Sequence, residues 1–259
     1  MNRRSPERTA PRYSRRDALH LLASACLCMA LPTAGAAQVS RRTQPIKAFS
    51  TVELDGVGEL HVVQGETIAL VIEAEPRLLS VLSASVDNGV LSFDYGPQPI
   101  ITTEPIRFLL TVRELTHLQL GGSGDCHIKG LRTPSLNAGI SGSGSLTIDG
   151  LDTREWVAEL AGSGSMTIGG KTHRQQVSIS GAGDYQAVRL QSQHADASIE
   201  GAGTIELSVA QRLVASIGGS GEIRYHGKPA LVSRVSGAGS IEAEQDWAAA
   251  RFDPVIETD

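Results

Sequence analysis

The sequence predicts an all-β protein, a right-handed parallel β-helix, and three observations carry that prediction. A Gly-x-Gly tripeptide recurs seven times at intervals of 18 to 20 residues. Apolar and polar residues alternate on both sides of every copy, the period of strands. The interval is too short for the four-stranded blade of a propeller, which needs about 40–50 residues. Identical positions recurring at a fixed interval stack into a solenoid, each rung pairing with the next at about 4.8 Å. Right-handed coiling follows from the handedness of parallel crossovers.

The elements follow in chain order. Residues 1–36 hold six Arg and two acids. Ser14-Arg15-Arg16-Asp17-Ala18-Leu19 precedes an apolar run from Leu21 to Leu31, and Ala34-Gly35-Ala36 suits a peptidase that accepts small side chains. The run is too short to cross about 30 Å of hydrocarbon as a helix. The segment resembles a twin-arginine export signal, with ordinary Sec export as the alternative. Leu22-Ala23-Ser24-Ala25-Cys26 resembles a degraded lipobox, and lipidation would anchor the protein through Cys26. Beyond the signal Cys126 stands alone, so no internal disulfide can form.

Residues 38–259 are expected to be a single solenoid domain without a membrane span. Within it, 38–117 form a β-rich N-terminal cap outside the register of the repeat. Glu75-Pro76-Arg77-Leu78-Leu79 predicts one helical turn with Pro at its start. Asp87-Asn88-Gly89 predicts a hairpin turn, and Gly56-Val57-Gly58 reads as a degenerate eighth copy of the repeat. A solenoid end needs such a cap, because it otherwise exposes strand edges and core.

Residues 118–245 are the rungs, and 246–259 a tail. The paired glycines are Gly122 and Gly124, Gly142 and Gly144, Gly162 and Gly164, Gly181 and Gly183, Gly201 and Gly203, Gly219 and Gly221, and Gly237 and Gly239. Two residues before each pair lies Leu, Ile or Val, from Leu120 to Val235. Four residues after it lie Cys126, Leu146, Met166, Tyr185, Ile205, Ile223 and Ile241. Each Gly-x-Gly is therefore a corner between two short strands. The glycines are expected to supply backbone angles that a Cβ would strain, and the middle Ser or Ala to point inward.

The residue after each corner forms a solvent-facing column, Asp125, Ser145, Ser165, Asp184, Thr204 and Glu222, continued by Ser240. This column is the expected ligand-binding surface, suited to a polar ligand such as a glycan. No catalytic set follows from it. Asp125 and Asp184 are three rungs apart, about 14 Å, and a glycosidase pair needs about 5–9.5 Å. Cys126 holds an inward position and His127 points the other way, so they cannot form a nucleophile pair. The histidines occupy different repeat positions and are expected not to stack, which leaves no metal set. A calcium β-roll repeats every nine residues, unlike this chain. No helix follows any Gly-x-Gly, so a phosphate cradle is missing. No cofactor is implied. Beyond residue 36 there are 17 basic and 26 acidic residues, a balance that repels nucleic acid.

Gly142-Ser143-Gly144-Ser145-Leu146-Thr147-Ile148-Asp149-Gly150, repeated with variation, resembles the GIN-domain family, the head domains of auto-transporter adhesins in exported bacterial proteins. Val86-Asp87-Asn88-Gly89-Val90-Leu91 matches as well, and the likeness spans roughly 46–245. The resemblance implies a right-handed β-helix and brings no catalytic residues. A classical translocator barrel needs alternating strands of about 10 residues; the 17 residues after Glu242 are expected to hold none. The expected protein is an exported, non-enzymatic, adhesin-like binding or structural module of the cell envelope, in the periplasm or at the surface. Its partner would be an envelope glycan or another protein. The alternatives are a polysaccharide-binding or polysaccharide-degrading β-helix, by fold analogy, and a subunit adding to another sheet through its last rung near Val235 and Ile241.

Overall fold

The computed structural model describes residues 39–244, all within the unit Ala37–Asp259. The segment 1–36 expected to be an export signal, Cys26 within it, and the tail 246–259 lie outside the described residues. Strand makes up 67% of the structure and helix 2%, in a β-solenoid of about six turns. The seven corners from Gly122 to Gly239 are separated by six such turns.

The chain opens with β1 (Ser40–Gln44), β2 (Thr51–Gly56), β3 (Glu59–Gln64) and β4 (Ala69–Ala74). The single turn α1 (Pro76–Leu79) follows, then β5 (Ser83–Asp87), β6 (Val90–Asp94) and β7 (Arg107–Val112). Pro76 opens α1 without losing a bond, since the first turn has no acceptor for its N–H. Asn88 and Gly89, at φ 48° and 81°, link β5 to β6 in the mirror-image turn that Asn-Gly favours.

The region 38–117 was expected outside the repeat register, and the structure corrects this for 51–64. β2 and β3 pair in parallel with β8 (His117–Gly122) and the start of β9 (Asp125–Ile140), with Gly56 opposite Gly122 and Leu60 opposite Cys126. The Ser123 N–H donates to Gly56 O at 2.9 Å and the Asp125 N–H to Gly58 O at 2.9 Å. Gly56-Val57-Gly58 is therefore an eighth corner, in register with the others. The stacking order departs from the chain order: β6 and β7 pair with the opposite edges of β2 and β3. Antiparallel β5 covers β6, and β4 then β1 cover β7. The cap is thus a lower rung (90–112) closed by β5 and β4 running the other way, with β1 outside β4.

From β9 onward each long strand leaves one corner and enters the next: β10 (Ser145–Leu160), β11 (Ser165–Ile179), β12 (Asp184–Ile199) and β13 (Thr204–Ile217). The last turns are β14 (Glu222–His226), β15 (Ala230–Val235) and β16 (Ser240–Glu244). The parallel register puts Ile128, Ile148, Leu120, Ile140, Ile179 and Ile199 in stacked columns, each at most 1% exposed. Burying a side chain of this size stabilises by about 1.5–3 kcal/mol. The core columns stop at the last rung, where Val235 is 44% exposed.

The corner glycines are required for a reason other than the expected one. Of the seven pairs only Gly122 and Gly237 have positive φ. At Gly142, Gly162, Gly181, Gly201 and Gly219 a Cβ would lie under 3.0 Å from the carbonyl oxygen of the glycine one rung below. That oxygen accepts the N–H of the middle residue, as in Ser143 to Gly122 at 2.9 Å and Ala182 to Gly162 at 3.0 Å. The middle residue itself does not point inward: Ser143, Ser163, Ala182 and Ala202 are exposed. The inward place belongs to the second glycine, where Ile140 would meet a Cβ on Gly164 at 2.7 Å and Ile179 one on Gly203 at 2.8 Å.

A polar chain runs through the interior. Trp156 Nε1 donates to the Tyr185 hydroxyl at 2.8 Å, which donates to Gln175 Oε1 at 3.1 Å. Gln175 Nε2 donates to Ser192 Oγ at 2.8 Å and to Ser208 O at 3.1 Å. Burial pushes the Tyr185 phenol up, so it remains a neutral donor. At the bend opposite in sequence to the glycine corner, Thr133, Thr153 and Thr172 stack almost fully buried. Each hydroxyl donates to the carbonyl two residues on, at 3.1, 3.0 and 2.9 Å. These bonds satisfy the backbone where the chain turns.

Candidate ligand-binding surfaces

The structure brings the expected column together. Parallel pairing aligns Ser145, Ser165, Asp184, Thr204, Glu222 and Ser240. Asp125 sits beside Ser145 and opposite Glu59, which extends the column into the eighth corner. Much of its acidity is turned toward neighbours within the sheet. Asp125 Oδ1 accepts from the Ser145 N–H at 2.9 Å and its hydroxyl at 2.6 Å. Arg224 donates to both oxygens of Glu222, at 2.7 and 2.6 Å. Arg107 donates to Glu59 at 2.9 Å. Burial works against ionisation of Glu59, but bonds from Arg107 and His61 outweigh it and hold the carboxyl below its usual range. Ser145 and Ser165 separate Asp125 from Asp184, and Thr204 separates Asp184 from Glu222, so no two of the expected column's acids occupy adjacent rungs.

Cys126 is 3% exposed, and burial followed by the charge of Asp125 pushes its thiol up, away from the reactive thiolate. His127 faces outward and bonds Asp149 Oδ2 at 2.9 Å. That bond, followed by the charge of Arg189, holds the Asp149 carboxyl below its usual range, against the opposing effect of burial.

The histidines were expected not to stack, and the structure corrects this too. The rings of His61 and His127 lie 6.2 Å apart, and those of His173 and His194 5.2 Å apart. The first pair follows from the in-register eighth corner, which sets His61 opposite His127. The second is diagonal: His194 pairs with Arg174, which leaves His173 within reach across the rungs. Among the described residues no group of three or more His, Cys, Asp or Glu could hold a metal.

A second surface, which the sequence does not single out, follows the threonine bend. A depression of about 400 Å³ is lined by Asp152, Thr153, Lys171, Thr172, His173 and Gln191 among others. It shares Asp152 with a neighbour of about 330 Å³ lined by Gln64, Gly130, Arg132 and Gly150. It shares Gln191, Ser192 and Ala210 with another of about 300 Å³ that reaches His226 and Gly227. The three form one groove crossing successive rungs. Arg132 and Lys171 both approach Asp152 Oδ2, at 3.1 and 3.5 Å, and Gln64 bonds the backbone N–H and carbonyl of Arg132 at 2.9 and 3.0 Å. The sequence signal for this edge is charge tallied by repeat position: 129–132, 171–174 and 226–228 each carry Lys or Arg at the same bend.

Residues 48–229 match the family model described as "Putative auto-transporter adhesin, head GIN domain". No curated protein matches the chain. Among solved structures, one titled "putative adhesin" from Bacteroides fragilis NCTC 9343 is similar with a TM-score of 0.75 and 22% identity, covering 80% of this chain and 97% of its own. A "Putative lipid binding protein" from Parabacteroides distasonis ATCC 8503 has a TM-score of 0.67 at 22% identity, covering 82% and 98%. A "putative adhesin" from Parabacteroides merdae ATCC 43184 has 0.62 at 21%, covering 82% and 98%. At these identities the likeness shows the fold.

Proposed function

The chain belongs to the family described as "Putative auto-transporter adhesin, head GIN domain", and from that premise we propose that it is an exported, non-enzymatic binding module of the cell envelope. One observation carries the reading: rungs in parallel register repeat the same outward positions along the stack. Such a surface suits a repeating ligand and needs no moving part. Non-catalysis is supported by the buried Cys126 and by the intervening residues that keep Asp125, Asp184 and Glu222 off adjacent rungs. Export rests on the Arg-rich segment with its Ala-x-Ala and on the family. Among the described residues no helix is long and apolar enough to cross a membrane.

The test is a glycan array and a peptidoglycan pull-down with the full chain, beside Asp125→Ala and Asp184→Ala. Saturable binding with no change in the ligand's chain length is the expected result. Weakening by either substitution would put the contact on the corner column; indifference to both would put it on another face. Shortened glycan products would refute the non-enzymatic reading.

A further inference from the structure

The charge of the described residues is segregated. The six bend segments, 129–135, 149–155, 169–174, 188–194, 208–212 and 226–230, carry eight Lys or Arg and three acids. The other described residues carry eight Lys or Arg and 19 acids. All eight bend cations are exposed, and two of them, Arg132 and Lys171, line the groove itself. Arg132 and Lys171 share the single carboxylate of Asp152, which leaves net positive charge where two depressions meet. Arg154 and Arg212 form no ion pair among the described residues, whereas Arg174 is matched by Asp196 and Arg189 by Asp149.

We propose that this groove binds a linear acidic polysaccharide laid along the stack. The inference rests on the binding-module reading and names its ligand class and its edge. Each bend segment carries at least one Lys or Arg at a rung spacing of about 4.8 Å, and all but 149–155 carry no acid, so a polymer with a carboxylate, sulfate or phosphate on each repeat meets positive charge on most turns. Gln191, Gln193 and His173 stand on the same wall and supply donors and acceptors for ring hydroxyls. The stripe follows one edge, so it suits a chain better than a flat membrane. No Phe, Tyr or Trp lines the groove, so nucleic-acid bases have no platform to stack on, and the acid-rich remainder repels a second strand.

The test titrates the full chain with polygalacturonate of defined length, with neutral dextran of the same length, and with single-stranded DNA. The variant Arg154→Gln/Lys171→Gln/Arg212→Gln is compared with Lys47→Gln, an exposed change elsewhere, and circular-dichroism melting checks that both fold. Expected are saturable binding of polygalacturonate that weakens as salt rises, at least tenfold weaker binding by the triple variant, and unchanged binding by Lys47→Gln. Equal binding of dextran would overturn the proposal, as would DNA binding as tight as the uronate, indifference to the triple substitution, or no binding of polygalacturonate. In any of those cases a neutral glycan retained on the array would leave the binding-module reading standing. An empty array and pull-down would remove both.

Discussion

At Gly162 the carbonyl oxygen of Gly142 occupies the space a Cβ would need, and the same oxygen accepts the Ser163 N–H at 3.1 Å. Gly162→Ala must push two rungs apart, so a loss of about 1–3 kcal/mol is expected, the range for overpacking a tight site. Ser163→Ala changes an exposed side chain and should stay within about 0.5 kcal/mol. Urea unfolding of both variants checks the contrast; equal losses would mean that close approach to the Gly142 carbonyl does not set the requirement. Tyr185→Phe removes the hydroxyl between Trp156 and Gln175 and leaves two buried groups unpaired, with a loss of about 1–3 kcal/mol by the same measurement. The corner glycines were legible because they repeat. Their reason was not, since a clash with the rung below is invisible until the rungs stack. Tyr185 likewise read only as one more inward residue, because Trp156 and Gln175 lie on other sides of the coil.

Among the elements, the cap shows where sequence reading succeeds and where it ends. α1 and the Asn88–Gly89 turn come from signals a few residues long, and both are present. The place of β2 and β3 depends on an excursion of about fifty residues between them and β8, and nothing local records where such a chain returns. Glu75 ties that excursion together: its Oε1 accepts from Thr102, from the Thr103 N–H and from the Thr103 hydroxyl at 2.9, 3.0 and 3.1 Å, and its Oε2 from Arg77 at 2.7 Å. The Thr103 N–H first, then Arg77 and Thr102, pull its carboxyl down to about 2. A carboxyl lowered by folding stabilises the fold above its unfolded value near 4.5, and that contribution is lost as pH falls toward 2. Glu75→Gln should therefore lower Tm at neutral pH and flatten the fall of Tm between about pH 4.5 and 2. Parallel melting curves across that range would show that Glu75 contributes nothing.

Across the whole stack the backbone of each rung pairs only with its neighbours, so damage should spread in proportion to the interfaces it breaks. Gly181 sits in the middle, with rungs paired on both sides, and a Cβ there meets Gly162 O. Gly237 belongs to the last described rung, where β15 and β16 pair on one side with β13 and β14. A Cβ on Gly237 meets Gly219 O, and its φ of 144° adds strain. Judged residue by residue, Gly237→Ala is the worse change. In a one-dimensional stack the order reverses, because a poor interface at the end frees one rung and a poor interface in the middle frees the rungs on both sides. Amide hydrogen exchange reads the difference directly. Gly237→Ala should lose protection in 230–244 and keep it below, and Gly181→Ala should lose it across β11 to β13 and lower the global stability. The reverse order would mean that the core columns bind the solenoid into a single cooperative unit.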